Sequence, residues 1–366
     1  MASDLKPPYR FPLLILGFVA LGTGVLAGLA RLGWPAPLPR PEVISLHGPL
    51  MISGFFGTVI GLERAVAIAQ RWAYLGPLCA GLATLALLLG LPIPLAAFLL
   101  IMAGIVLISA SFAAYRTQPS FHARVLLLGA ASWGVGTLLW GWGISLPALL
   151  PWWMGFLALT IAGERLELSR FLPPSPRAHR WFVGLTLSFL IGALLSPISV
   201  THGWLVAGLA LLGFAGWLLI NDVARRTVKQ TGITRFIALC LLTGYGWLAV
   251  AGVLMTIPQS TLGAGLLYDA ALHALFMGFV FSMVFGHAPI IFPAVTGLQV
   301  PYHPWFYIPL LVLHASLMLR LGGDLFAVAD WRLWGGLGNG IAIALFVVST
   351  IAAIVRGLFL PRTQIL

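Results

Sequence analysis

The stretch FPLLILGFVALGTGVLAGLARLG, from Phe11 to Gly33, carries no ionisable side chain before Arg31. About 20 apolar residues at 1.5 Å rise cross the roughly 30 Å hydrocarbon layer of a bilayer, so this stretch reads as a membrane-spanning helix. Working outward from it, the chain divides into eleven further runs of the same kind. The first six spans are expected at Phe11–Gly33, Leu46–Gln70, Tyr74–Leu91, Pro94–Tyr115, His122–Ile144 and Pro147–Leu168. The second six are expected at Trp181–Ile198, His202–Asn221, Arg235–Thr256, Ala270–Val295, Trp305–Leu321 and Leu333–Arg356.

Composition agrees with lipid as the solvent. Of 366 residues, 60% are hydrophobic and 8% charged, with a mean hydropathy of +1.02. A water-soluble domain could not cover itself with so little polar surface. The fold class is therefore all-α integral membrane, about twelve transmembrane helices in a single polytopic domain over residues 1–366, with the lipid bilayer as partner.

The net charge of +11 is a matter of topology. With a cytoplasmic N-terminus, sixteen of the twenty Lys and Arg fall in inner segments, among them Lys6, Arg10, Arg170, Arg225, Arg226 and Arg362; Arg31, Arg40, Arg320 and Arg332 fall outside. That asymmetry predicts both termini in the cytoplasm and accounts for the basic pI without nucleic acid. No small-residue cleavage site follows the first apolar run, so the first helix is expected to stay in the protein. Cys79 and Cys240 both fall inside spans and read as packing residues; no CxxC or CxxCH occurs.

One short pattern recurs in the second, sixth and tenth spans. Gly54-Phe55 precedes Glu63 by nine and eight residues, Gly155-Phe156 precedes Glu164 by the same distances, and Gly278-Phe279 precedes His287 likewise. A period of four helices predicts three units, 11–115, 122–221 and 235–356, about a pseudo-threefold axis. The alternative is chance alignment of Gly and Phe, both abundant here.

An ionisable group inside a span is expensive and is a functional candidate for that reason. His47 and His273 lie at comparable outer depth on two helices of the same direction, and two neutral imidazoles suit the axial positions of a b-type haem, with Arg31, Arg40 or Arg320 pairing with its propionates. The alternative is that each His bonds a neighbouring helix. Met51 and Met277 each follow their His by four residues, one turn on, which suits copper as well as it suits ordinary core filling. His287 and His314 are the other metal candidates within spans. Glu63, Glu164 and His287 are candidates for a proton path, although Glu63-Arg64 and Glu164-Arg165 also suit ion-pair networks at helix ends. Pro289 and Pro293 are expected to bend or unwind the end of the tenth helix. No Walker sequence, HExxH or Gly-rich dinucleotide fingerprint occurs.

The segments His47-Gly-Pro-Leu-Met51 with Gly54-Phe55, and Leu272-His273-Ala274-Leu275 with Gly278, resemble those of the NnrS family of membrane proteins. That resemblance implies a bacterial cytoplasmic-membrane protein that binds haem and copper and is associated with nitric oxide metabolism or nitrosative stress. The layout is also similar to the catalytic subunit of haem-copper oxidases, in which low-spin haem is held between histidines of helices two and ten; His47 and His273 match those positions. That family takes copper ligands from histidines of helices six and seven, whereas helix six here has none and helix seven only His179. The expected function is haem b binding, with copper as a further candidate, serving redox or gas-ligand chemistry as a membrane oxidoreductase; a quinol or another electron donor would be its partner. The alternatives are a proton-coupled transporter or channel without cofactor, and a copper carrier using the His-Met pairs.

Overall fold

A computed structural model describes residues 4–169, 174–258, 263 and 265–359. Arg170 and Arg362, counted above among the inner cations, lie outside the described residues. In hydrocarbon every backbone N–H and C=O must find a partner within the protein, which leaves helices as the solution for apolar runs of this length. Twelve helices among the described residues are long and apolar enough to cross a membrane. In chain order they are α1 Pro7–Leu32, α2 Pro41–Ile68, α3 Arg71–Leu89, α4 Ile93–Thr117, α5 Phe121–Gly141 and α6 Leu146–Leu168. They continue with α7 Pro176–Leu195, α8 Val200–Asn221, α9 Gly232–Thr256, α10 Leu266–Thr296, α11 Pro304–Leu325 and α12 Ala329–Phe359. No strand occurs among the described residues. The chain is an all-α multi-pass membrane protein.

Each expected span maps onto one helix, with ends displaced by a few residues. α2 starts at Pro41 because a 3-10 turn, Pro41–Leu46, leads into His47. α10 departs from expectation in its interior. Pro289 and Pro293 sit inside a continuous α-helical segment, Ser282–Thr296, so the expected unwinding there does not occur. The irregularity lies earlier, in a π-helical segment over Ala274–Phe281. α2 has a matching π segment over Leu50–Phe56.

The helices cluster as two units. The first comprises Met1–Glu167 and Ala294–Gly297, the second Leu168–Pro293 and Leu298–Leu366. The division follows six helices and falls inside the segment 122–221.

In the first unit α1 lies along the π segment of α2, and α3, α4 and α5 pack in sequence. Its core forms around Trp133 of α5, whose ring stacks on Phe156 of α6 at 5.1 Å and whose Nε1–H donates to Ser53 of α2 at 3.1 Å. Gly57 of α2 is required by that ring, since a Cβ there would stand 2.4 Å from it. Buried Arg10 donates to the Ala294 and Val295 carbonyls at 3.3 and 3.0 Å and pairs with Asp4 at 2.6 Å. A guanidinium at a helix C-terminus satisfies carbonyls that lack intrahelical partners.

In the second unit α7, α8 and α9 pack in sequence, α9 lies along the π segment of α10, and α11 pairs with α12. Backbones approach closely where side chains are small, as at Gly192 against Ala207 and Gly252 against Leu212. Such contacts drive helix association where lipid removes the hydrophobic term. Leucine, isoleucine and phenylalanine side chains remain exposed along most helices, for example Leu187, Ile191 and Leu194 on α7. In water these faces would aggregate; in a bilayer they meet acyl chains.

Candidate functional site

His47 opens the α-helical part of α2 and turns towards α1. Its Nδ1 stands 2.7 Å from the Gly24 carbonyl, and its ring fills the space beside Gly28, where a Cβ would stand 2.8 Å from Cε1. Met51, one turn further, lays its thioether over Gly24. The Gly24-x3-Gly28 spacing of α1 is thus the seat for His47 and Met51. A carbonyl can only accept, so Nδ1 carries the proton, and in the neutral ring the lone pair is on Nε2.

His273 of α10 has the same tautomer by a different route. Its Nδ1–H donates to the Asp269 carbonyl one turn earlier on the same helix, at 2.8 Å. The Asp269 carboxylate also approaches, with Oδ1 3.4 Å from Nδ1. Asp269 Oδ2 accepts from Arg320 Nη2 and Nε at 2.9 and 3.2 Å, and Arg332 Nη2 stands 3.7 Å away. Arg332 Nε lies 2.9 Å from Oδ1 of buried Asp324, an ion pair whose angle does not make a hydrogen bond. Two carboxylates and two guanidiniums, formally neutral together, thereby frame His273. Such a frame polarises a ring N–H and fixes the plane of the imidazole, as outer partners of metal-bound histidines do.

The sequence reading missed Asp269, Asp324 and Arg332 as site residues. The available signal was Asp269-x3-His273, which places carboxylate and imidazole on one helical face. Arg320, expected to meet a haem propionate, is engaged with Asp269. Of the other propionate candidates, Arg40 pairs with Glu42 at 3.2 Å and its guanidinium occupies the space beside Gly90, while Arg31 is exposed in the last turn of α1.

His314 has both nitrogens in use. Trp247 Nε1–H donates to its Nδ1 at 2.9 Å, its Nε2–H donates to Thr243 Oγ1 at 3.0 Å, and that hydroxyl donates to the Leu239 carbonyl at 2.8 Å. The expected metal role therefore gives way to a structural one, since no lone pair is left on the ring. His287 donates Nδ1–H to the Met283 carbonyl at 2.8 Å, leaving the lone pair of the neutral ring on Nε2. Met277 is buried in the π segment of α10. Among the described residues no group of three or more His, Cys, Asp or Glu is placed to hold a metal.

Glu63 of α2 and Glu164 of α6 come together in the first unit. Each feels the charge of Arg64 and Glu167, and Glu164 also that of Glu63 and Arg165. Both are half-buried, and Arg165 is buried. Cys79 and Cys240 are free thiols, half-buried and buried respectively.

A comparison with curated proteins finds none that matches the chain. A family model described as "Domain of unknown function (DUF8744)" matches residues 10–355, nearly the whole length, and the chain belongs to that family.

Proposed function

We propose that the protein binds haem b, with His47 and His273 as imidazole ligands to iron, and serves redox or gas-ligand chemistry, nitric oxide among the gases. The observation that carries this reading is the common state of the two rings: each has Nδ1–H engaged by a backbone carbonyl, which directs the lone pair to Nε2. That is the form in which a histidine ligates iron while its other nitrogen is held from behind. A π segment that begins within three residues after each histidine adds support, because such segments occur often at functional sites. The NnrS-like segments around both residues favour the same chemistry.

Bound haem would supply an iron that changes oxidation state or takes a diatomic ligand. The chain's own contribution would be to hold each ring plane within its unit: Gly24 and Gly28 would hold that of His47 by shape, and Asp269 with Arg320 and Arg332 that of His273 by charge. Copper enters the proposal only through His47 with Met51 and His273 with Met277. A quinol or another electron donor would reduce the centre. The basic-residue asymmetry supports a bacterial cytoplasmic membrane with cytoplasmic termini. Protein purified in detergent from a haem-replete host should give a b-type reduced-minus-oxidised spectrum, with iron in the metal analysis of the same sample. A colourless, iron-free protein would overturn the proposal.

A second reading has its own observation, that Glu63 feels the charges of Arg64 and Glu167, and Glu164 those of Glu63, Arg64, Arg165 and Glu167, in the first unit. Carboxylates of that kind suit a proton-coupled transporter without cofactor. Substrate uptake into vesicles, lost in Glu63→Gln or Glu164→Gln, would favour it over haem.

A further inference from the structure

One end of α7, α8 and α9 in the second unit concentrates positive charge that neither the histidines nor the carboxylates use. α7 begins there at Pro176, α8 ends there at Asn221 and α9 begins there at Gly232. The three ends are tied together. Trp217 Nε1–H of α8 donates to the Ala178 carbonyl of α7 at 2.8 Å, and the Trp217 ring meets Phe182 edge-on at 4.9 Å. Tyr245 of α9 donates its hydroxyl to Asp222 at 2.7 Å, and the other Asp222 oxygen accepts the Ala224 N–H at 2.7 Å. The connection from α8 to α9 is thereby pinned against both helices.

Arg177, Arg180, Arg225, Arg226, Lys229 and Arg235 project from this end, all exposed. Among the described residues none of the six forms an ion pair, and Arg225 uses one nitrogen to cap the Ile220 carbonyl. Asp222, the acid beside them, is buried and engaged by Tyr245 and Ala224. Six exposed cations against one buried carboxylate leave the field here positive among the described residues.

Depth comes from a separate observation. Trp181, 61% exposed, directly follows Arg180 on α7, and beyond it the exposed large side chains of that helix are Leu187, Ile191 and Leu194. An outward tryptophan at the edge of an acyl-facing surface marks the headgroup level. The guanidiniums at Arg177 and Arg180 thus stand where phosphates of the lipid lie. Guanidinium binds phosphate through paired N–H donors, and clusters of cations next to a span favour anionic over zwitterionic lipid by roughly fivefold for each residue near the surface.

We propose that this end of α7–α9 is a binding site for the headgroup phosphate of anionic phospholipid, held between the first turn of α7 and the α8–α9 connection. The proposal is independent of whether haem is bound. It is tested on the full chain in nanodiscs made from equal parts phosphatidylglycerol and phosphatidylcholine, with co-purified lipid counted by mass spectrometry after detergent extraction. Wild type should retain phosphatidylglycerol at least fivefold over phosphatidylcholine. Arg177→Gln/Arg180→Gln and, separately, Arg225→Gln/Arg226→Gln should each lower that ratio several-fold, with tryptophan fluorescence reporting that the variants remain folded. If a variant unfolds, the wild-type ratio decides alone. Inorganic phosphate should not reproduce the thermal stabilisation given by phosphatidylglycerol. Equal retention of the two lipids by wild type, an unchanged ratio in both folded variants, or full stabilisation by inorganic phosphate would overturn the assignment.

Discussion

α2 in the first unit and α10 in the second present a histidine by opposite means. Both carry His and, four residues on, a Met that lies inside a π segment, and both return a hydroxyl to a glycine carbonyl, Thr58 to Gly54 and Ser282 to Gly278, each at 2.6 Å. His47 takes its acceptor from a neighbouring helix and is seated by shape, against Gly24 and Gly28. His273 takes its acceptor from its own preceding turn and is framed by charge, with Asp269, Arg320, Arg332 and Asp324 around it. The difference teaches that one tautomer can be fixed by steric fit or by electrostatics, and that the two should fail in different ways when disturbed.

The largest expected effect is on the charged side. Asp269→Asn keeps the size of the side chain but leaves Arg320 and Arg332 facing no carboxylate at that position; breaking a fully buried ion pair costs about 3 kcal/mol or more, and this half-buried one should cost up to about that. Thermal unfolding of the purified protein should show a clear drop, partly restored in Asp269→Asn/Arg320→Gln. An unchanged midpoint would mean that the frame around His273 is incidental.

The steric side should respond to volume. Gly28→Ala places a Cβ 2.8 Å from the His47 ring and should destabilise by about 1–3 kcal/mol through overpacking. Gly24→Ala should cost less, because the Met51 thioether that it meets can swing aside. The reverse order in an unfolding assay would show that His47 is not seated on Gly28.

The smallest effects are expected at the features the two helices share. Thr58→Val and Ser282→Ala each remove a hydroxyl that bonds only within its own helix, and each should shift stability by about 1 kcal/mol or less. Unequal losses would show that one of these hydroxyls does more than serve its own backbone.

How much of this was legible in the sequence follows from the range of the interactions. The spans were readable because a run such as Phe11–Ala30 reports its solvent locally, through length and absence of charge. The end of α10 does not unwind, one of the two outcomes expected there, because Pro289 and Pro293 report only a missing donor, while neighbouring helices decide whether the backbone breaks. His47 and His273 were legible as ionisable groups in apolar runs, but Gly28 and Arg320 become their neighbours only through packing. The Gly-Phe repeat and the histidine pair are also separate signals: His47 precedes Gly54 by seven residues, whereas His273 precedes Gly278 by five. His314 reads from the sequence as a metal candidate within a span, because its partners Trp247 and Thr243 lie 67 and 71 residues away and meet its two nitrogens only through packing.

That contrast among histidines gives the most direct measurement of the central claim. Haem content per polypeptide should be determined by pyridine haemochrome on wild type, His47→Ala, His273→Ala and His314→Ala prepared in parallel from a haem-replete host. The account predicts haem in wild type and in His314→Ala, and its loss or a changed axial-ligand spectrum in His47→Ala and in His273→Ala. Haem absent from wild type, or retained with an unaltered spectrum in both the His47 and His273 variants, would contradict it.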